Sequence, residues 1–110
     1  MQALDQPLDP KAVIVTLRGD CDMARKEELR NELAQAKGAG VAIVDLSETG
    51  YIDSAGLGEI VRIAWMVINA GGKFRVVTPL QHQKRIFNLL GLTKKIELFD
   101  TLAQASAVAP

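Results

Sequence analysis

Apolar residues along this chain gather in short runs that are typical of buried strands. Residues 41–46 and 74–77 form apolar runs without regular alternation, which indicates strands buried on both faces of a parallel sheet. Residues 12–17 alternate with a β-branched bias, and residues 96–99 predict a short last strand. Residues 1–8 predict a weaker strand that ends in a proline turn.

Helical patterns separate most of these strands. They cover residues 24–37, 55–69 and 79–90, and a capping-box pattern at residues 101–104 opens a short terminal helix. Because strands and helices alternate, the sequence predicts an α/β fold, a small mostly parallel sheet backed by about four helices. Only the first two strands have no helix between them, so we expect one antiparallel edge pair.

The helix over residues 55–69 has an excess of apolar residues. At about 100° per residue, one core face is predicted to contain Leu57, Ile60, Val61, Ala64 and Ile68. Gly58, Glu59 and Arg62 share the outer side. Met66 points away from Leu57 and Ile63 lies between the two faces, so both are predicted to form an exposed docking patch. The alternative is that neighbouring helices cover them.

Composition narrows the class of protein. The 110 residues fit a single domain over residues 1–110, and 48% apolar residues suffice for one core. Thirteen basic and thirteen acidic residues cancel, which does not favour a nucleic-acid partner. No run approaches the about 18 apolar residues of a membrane span, and no secretory segment is evident. The one cysteine, Cys21, is expected to be a small buried residue in a cytoplasmic protein.

A serine stands where a strand-to-helix loop opens the most apolar helix. Free backbone N–H groups and a positive dipole end make such a point suitable for a phosphate. Ser54 can therefore be a simple N-cap or a phosphorylated switch, and Asp53 can instead be the N-cap. Gly56 and Gly58, in the first helical turn, favour tight packing, close approach by a partner, or both.

The run Asp53-Ser54-Ala55-Gly56-Leu57-Gly58 resembles the signature of the STAS family, the sulfate transporter and anti-sigma factor antagonist domains. The likeness extends to Gly19-Asp20-Cys21-Asp22, to Asp45-Leu46-Ser47 and to Phe87-Asn88-Leu89-Leu90-Gly91-Leu92. It covers roughly residues 8–108, and the free-standing bacterial anti-sigma factor antagonists are the most similar group.

The resemblance implies a phosphorylation site at Ser54 and a partner-switching function. Unphosphorylated, such a protein binds an anti-sigma factor, a serine kinase of the histidine-kinase-like ATPase type, and thereby releases the sigma factor. Phosphorylation ends binding, and a serine phosphatase restores it. Asp22 matches a partner-contacting corner aspartate, although it can also cap the first helix. The expected partner-binding residues are Asp22, Asp53, Ser54, Ala55, Gly56, Gly58, Glu59, Ile63 and Met66.

The sequence departs from the family pattern at two places near the serine. Ala55 stands where many relatives carry a hydroxyl residue, so a second acceptor is absent. Thr49 and Gly50 replace a more apolar pair, and we expect them to loosen the loop before Tyr51.

Other chemistry is not favoured. Ile52 occupies the position where a hydrolase elbow needs glycine, and the only histidine, His82, is predicted to be solvated. An acidic cluster of Asp20, Asp22, Glu48 and Asp53 would suggest Mg²⁺, but we expect no bound metal, no cofactor and no catalysis. The alternatives are a non-switching STAS scaffold in a lipid transporter or signalling assembly and, less favoured, a nucleotide-sensing domain.

Overall fold

Strands and helices alternate strictly in the computed structural model, which describes residues 12–107. The elements are β1 (Ala12–Thr16), α1 (Lys26–Leu33), β2 (Val41–Asp45), α2 (Ser54–Asn69), β3 (Lys73–Val77), α3 (Gln81–Leu89), β4 (Ile96–Phe99) and α4 (Leu102–Ala107). Short 3-10 turns flank α1 at Met23–Arg25 and Ala34–Ala36, and another precedes β4 at Leu92–Lys94. The predicted α/β fold with four helices is confirmed over this part of the chain.

The sheet has the sequential order β1-β2-β3-β4 and all its described pairings are parallel. Val15, Val44, Val76 and Leu98 lie side by side across it. The predicted antiparallel edge pair is not found among these strands, because a helical crossover joins each strand to the next and brings the chain back to the same end. The strand predicted for residues 1–8, on which that pair depended, lies outside the described residues.

The two faces of the sheet are covered differently. One face packs against α1, α2 and α3, whose core residues include Leu29, Leu33, Ile60, Ala64 and Phe87. The other face packs against α4, with Val41, Ile43 and Val77 of the sheet around Ala105. The strand β2 is buried along its whole length because successive side chains enter both layers, as its unbroken apolar run predicted.

The core face of α2 differs from the prediction. Ile60 and Ala64 are buried as expected, but Ile63 is also in the core with 1% of its surface exposed. The prediction that Ile63 forms an exposed patch is therefore wrong. Ile63 is buried because α1 packs along α2 on the side expected to face solvent. Met66 is 40% exposed, as predicted.

Between residues 12 and 107, each helix is too short or too polar to cross a membrane.

Candidate functional site

Two loops run side by side at the carboxyl edge of the sheet. The loop after β1 and the loop after β2 continue the parallel pairing of their strands by backbone hydrogen bonds. These are Leu17 N to Asp45 O (3.0 Å), Gly19 N to Glu48 O (3.0 Å), Cys21 N to Tyr51 O (2.8 Å) and Asp53 N to Cys21 O (3.1 Å). Asp53 consequently lies beside the start of the turn that leads into α1.

Asp53 caps the first turns of two helical segments at once. Its Oδ1 accepts the N–H of Gly56 in α2 at 2.8 Å, and its Oδ2 accepts the N–H of Met23 at 3.0 Å. These N–H groups, that of Gly56 above all, lower the pKa of the Asp53 carboxyl. Of the two N-cap candidates in the sequence, Asp53 is the N-cap and Ser54 is the first residue of α2.

Ser54 is exposed, and its hydroxyl is not used as a cap. Across residues 12–107 no hydrogen bond of the Ser54 side chain is found. The N–H of Gly56, one of the backbone N–H groups at this helix start, already donates to Asp53. A phosphate on Ser54 would therefore lie next to a carboxylate and extend toward solvent.

Asp22 does not cap the first helix. It precedes the turn Met23–Arg25 in an extended conformation, but its side chain makes no capping hydrogen bond. The N–H of Met23, at the start of this turn, donates to Asp53 instead. Its Oδ1 is buried without a hydrogen-bond partner in the described part of the chain. The expectation that Asp22 caps the first helix is thus wrong, because the paired loops bring the Asp53 carboxylate to the start of this turn.

The two glycines of α2 lie in different surroundings. A Cβ on Gly56 would stand 2.2 Å from the carbonyl oxygen of Cys21, so this position requires glycine for packing beneath the loop. A Cβ on Gly58 would have no heavy atom within 4 Å apart from its chain neighbours and the backbone of its own helix, and Gly58 is exposed. Ala55, directly before Gly56, is partly exposed. Gly56 is therefore a packing residue, whereas Gly58 leaves an open surface.

Glu59 is buried rather than on the outer side, with 5% of its surface exposed. Both nitrogens of an Arg30 fork donate to its carboxylate, Nε to Oε1 and Nη2 to Oε2, each at 2.9 Å. Arg62 adds a longer contact at 3.4 Å. Hydrogen bonding from Arg30 is the main reason why the pKa of Glu59 is lowered. Glu59 joins α1 to α2, and its partner Arg30 lies too far away in the sequence for its periodicity to reveal the pair.

Two exposed apolar side chains that the sequence analysis missed flank this site. Met23 is 71% exposed and Tyr51 is 56% exposed. Met23 binds Asp53 through its N–H, and Tyr51 lies two residues before Asp53. An aromatic residue in a polar loop was the available signal for Tyr51. Met66 lies twelve residues after Ser54, about 18 Å along the helix, so the structure does not bring it to this site.

The loop before Ser54 is anchored rather than loose. Thr49 is 2% exposed, and its hydroxyl donates to the Leu17 carbonyl at 2.8 Å. The Cys21 thiol lies 3.9 Å from the same hydroxyl, and burial raises its pKa. Cys21 is buried as predicted. The expectation that Thr49 loosens the loop is wrong because its polar groups bind within the protein.

The acidic residues near this edge do not assemble into a metal site. Over residues 12–107, no three side chains among histidine, cysteine, aspartate and glutamate are grouped so that they could hold a metal ion. Glu48 instead pairs with Arg18 at 3.2 Å on the surface.

Known proteins resemble this chain in sequence and in fold. The sequence profile of the STAS domain matches residues 3–105. A protein of Thermotoga maritima, provisionally named an anti-sigma factor antagonist, is 33% identical over 69 residues, which is 63% of this chain and 61% of that protein. A homologue from Thermotoga neapolitana aligns to the same extent. The matched segment thus spans under two thirds of each relative.

Solved structures show the same fold at lower identity. The crystal structure of the Thermotoga maritima protein has a TM-score of 0.77 at 24% identity, covering 89% of this chain and 86% of that one. The anti-sigma factor antagonist SpoIIAA in its unphosphorylated form has a TM-score of 0.69 at 16% identity, with 88% and 86% covered.

Proposed function

The chain belongs to the STAS domain family, and from this premise we propose that it is an anti-sigma factor antagonist switched by phosphorylation of Ser54. The observation that carries the proposal is the exposed Ser54 hydroxyl, which the fold leaves uncommitted beside the cap Asp53. The names of the two Thermotoga relatives support the function. A solved phosphorylated form of SpoIIAA with the same fold supports the modification.

In this proposal the unphosphorylated protein acts in the cytoplasm as a ligand, not as a catalyst. It binds an anti-sigma factor that is also a serine kinase, and the sigma factor is released. The kinase transfers a phosphoryl group to Ser54 and thereby frees itself. A serine phosphatase removes the phosphate and restores binding.

The charge around Ser54 explains how one modification can end binding. Phosphoserine adds about −1.5 to −2 charges at neutral pH. The neighbouring Asp53 carboxylate has a lowered pKa and already binds the N–H groups of Gly56 and Met23. The new charge therefore has a like charge beside it and fewer open donors, which favours a hydrated phosphate. Removing water from such a charged group at an interface is unfavourable. The partner therefore dissociates while the fold is unchanged.

We expect the partner to contact fewer of the residues predicted from the sequence, together with two exposed residues that were not predicted. Met23 and Tyr51 provide apolar area beside Ser54. Gly58 and Ala55 leave room for a close approach, and Asp22 and Asp53 provide negative charge. Buried Ile63, Glu59 and Gly56 would act by shaping the surface from beneath.

Phosphorylation by a candidate anti-sigma kinase from the source organism tests the proposal. Kinase and ATP should add one phosphate to the wild type and none to Ser54→Ala, while Ser47→Ala, in an exposed serine of the same loop, should behave as the wild type. Ser54→Ala should bind the kinase constitutively, and Ser54→Asp weakly with a similar Tm. Phosphate on Ser47, Thr49 or Tyr51 would refute the site. Equal affinity of phosphorylated and unphosphorylated protein would refute the switch.

A further inference from the structure

A buried side chain of α3 holds the loop that leads to Ser54. Gln83 is 1% exposed, although glutamine in a surface helix is ordinarily solvated. Its Nε2 donates to the Thr49 carbonyl at 3.1 Å, and its Oε1 accepts the Thr78 hydroxyl at 2.6 Å. Thr78, directly after β3, is fully buried. An amide bound at both ends in a buried place has one favoured orientation.

Thr49 connects this anchor to the two paired loops. Its N–H donates to Leu46 at 3.0 Å, and its hydroxyl donates to Leu17 at 2.8 Å. Three of its polar groups, the N–H, the hydroxyl and the carbonyl, are therefore bound within the protein. Two residues later, the Tyr51 carbonyl accepts the Cys21 N–H, and the loop enters the Asp53 cap. Gln83 thus connects to the loop before α2 through its buried hydrogen bond to Thr49, and from Thr49 the backbone continues to the Asp53 cap.

We propose that Gln83 is a positioning residue for the Ser54 switch: through Thr49 it fixes the loop that presents Tyr51 and Ser54 to the partner. This proposal rests on the proposed function of Ser54. Without the Gln83 amide, the Thr49 carbonyl lacks its donor and the loop samples more conformations. The partner must then order the loop on binding, which we expect to weaken affinity about tenfold. A buried residue of α3 thereby affects a site formed by other elements.

Hydrogen exchange of the free protein tests the anchoring without any partner. In Gln83→Met, backbone amides of residues 46–53 should exchange about tenfold faster relative to those of β3, which report global opening. The matched control Gln81→Met makes the same change at an exposed position of the same helix and should leave this ratio unchanged. An equal increase in loop and β3 amides, or none in the loop, would overturn the proposal.

A second variant covers the case in which Gln83→Met does not fold. Thr78→Val removes the hydroxyl that orients the Gln83 amide and keeps the side-chain shape. It should raise loop exchange in the same residues by a smaller factor, and an unchanged loop would count against the proposal.

Phosphorylation kinetics separate this proposal from the proposed function. In Gln83→Met, the KM of the kinase for this substrate should rise about tenfold with kcat nearly kept, because positioning affects docking. A wild type that the kinase does not phosphorylate would refute the proposed function, whereas the exchange ratio would still decide the anchoring. A changed exchange ratio with an unchanged KM would refute the role of Gln83 in the switch.

Discussion

Gly56 packs against the carbonyl group of Cys21 so closely that a Cβ on the glycine would stand 2.2 Å from the carbonyl oxygen. The same oxygen accepts the Asp53 N–H at 3.1 Å. The start of α2 thus packs closely against the loop after β1. This contact places Ser54 where the loop after β1 and the loop after β2 meet.

Alanine substitutions at the two glycines of α2 should have opposite effects. Gly56→Ala forces the Cys21 backbone to move and should destabilise the protein by about 1–3 kcal/mol. Gly58→Ala meets open space and should stabilise it by about 0.5–1 kcal/mol through helix propensity. Urea denaturation gives the free energy of unfolding of each variant. Equal free energies of unfolding for the two variants would contradict the packing at Cys21.

The Asp53 cap should make stability depend on pH in the acid range. Its pKa is lowered in the folded protein, so the cap stabilises fully above the unfolded pKa of about 4 and this contribution disappears as the pH falls through the folded pKa. The Tm difference between wild type and Asp53→Ala should be largest near neutral pH and shrink toward acid. Thermal unfolding from neutral to acid pH measures it, and a difference independent of pH would exclude the carboxylate as its source.

Lysine substitutions distinguish the two faces of α2. Ile63→Lys places a charge in the core at a position 1% exposed and should abolish folding or destabilise it by more than about 4 kcal/mol. Met66→Lys, at a position 40% exposed, should change stability by less than about 0.5 kcal/mol. Circular dichroism shows whether each variant folds, and chemical denaturation measures its free energy of unfolding. A folded, stable Ile63→Lys would show that α1 does not cover this face.

Asp22→Ala should leave stability nearly unchanged, within about 0.5 kcal/mol, because Asp22 forms no cap and one of its oxygens is buried without a partner. Asp53→Ala is the matched comparison, since it removes two carboxylate oxygens that each accept a backbone N–H. The Tm of both variants at neutral pH measures the contrast. If Asp22→Ala lowers the Tm as much as Asp53→Ala, the assignment of the cap is wrong. Under the proposed function, Asp22→Ala should still weaken kinase binding.

The four described strands were predictable from sequence because their signal is local. The apolar run over residues 41–46 needs two apolar neighbouring layers, and the structure provides both around β2 (Val41–Asp45). The capping box at Thr101 also formed as its residues indicated. Its hydroxyl accepts the Gln104 N–H at 3.1 Å, and the Gln104 side chain accepts the Thr101 N–H at 3.3 Å.

The candidate site was harder to predict because its decisive contacts join distant segments. The helix α2 is apolar on most sides, so periodicity could not show which side α1 covers, and Ile63 was misplaced. Glu59 is buried only because Arg30 supplies a fork from another helix. The binding of the Met23 N–H by Asp53 rather than a cap from Asp22 depends on the register of two loops, to which side-chain patterns are insensitive.

The sequential order of the sheet also bears on how the protein is made. Among residues 12–107, each strand pairs with the strands adjacent to it in the chain, so β1, β2 and the start of α2 can associate before the carboxyl half has left the ribosome. Gln83, however, belongs to that later half. The loop before Ser54 therefore receives its last internal bond only after α3 has emerged and docked. Ser54 is therefore synthesised early, but the loop around it reaches its final structure only near the end of synthesis.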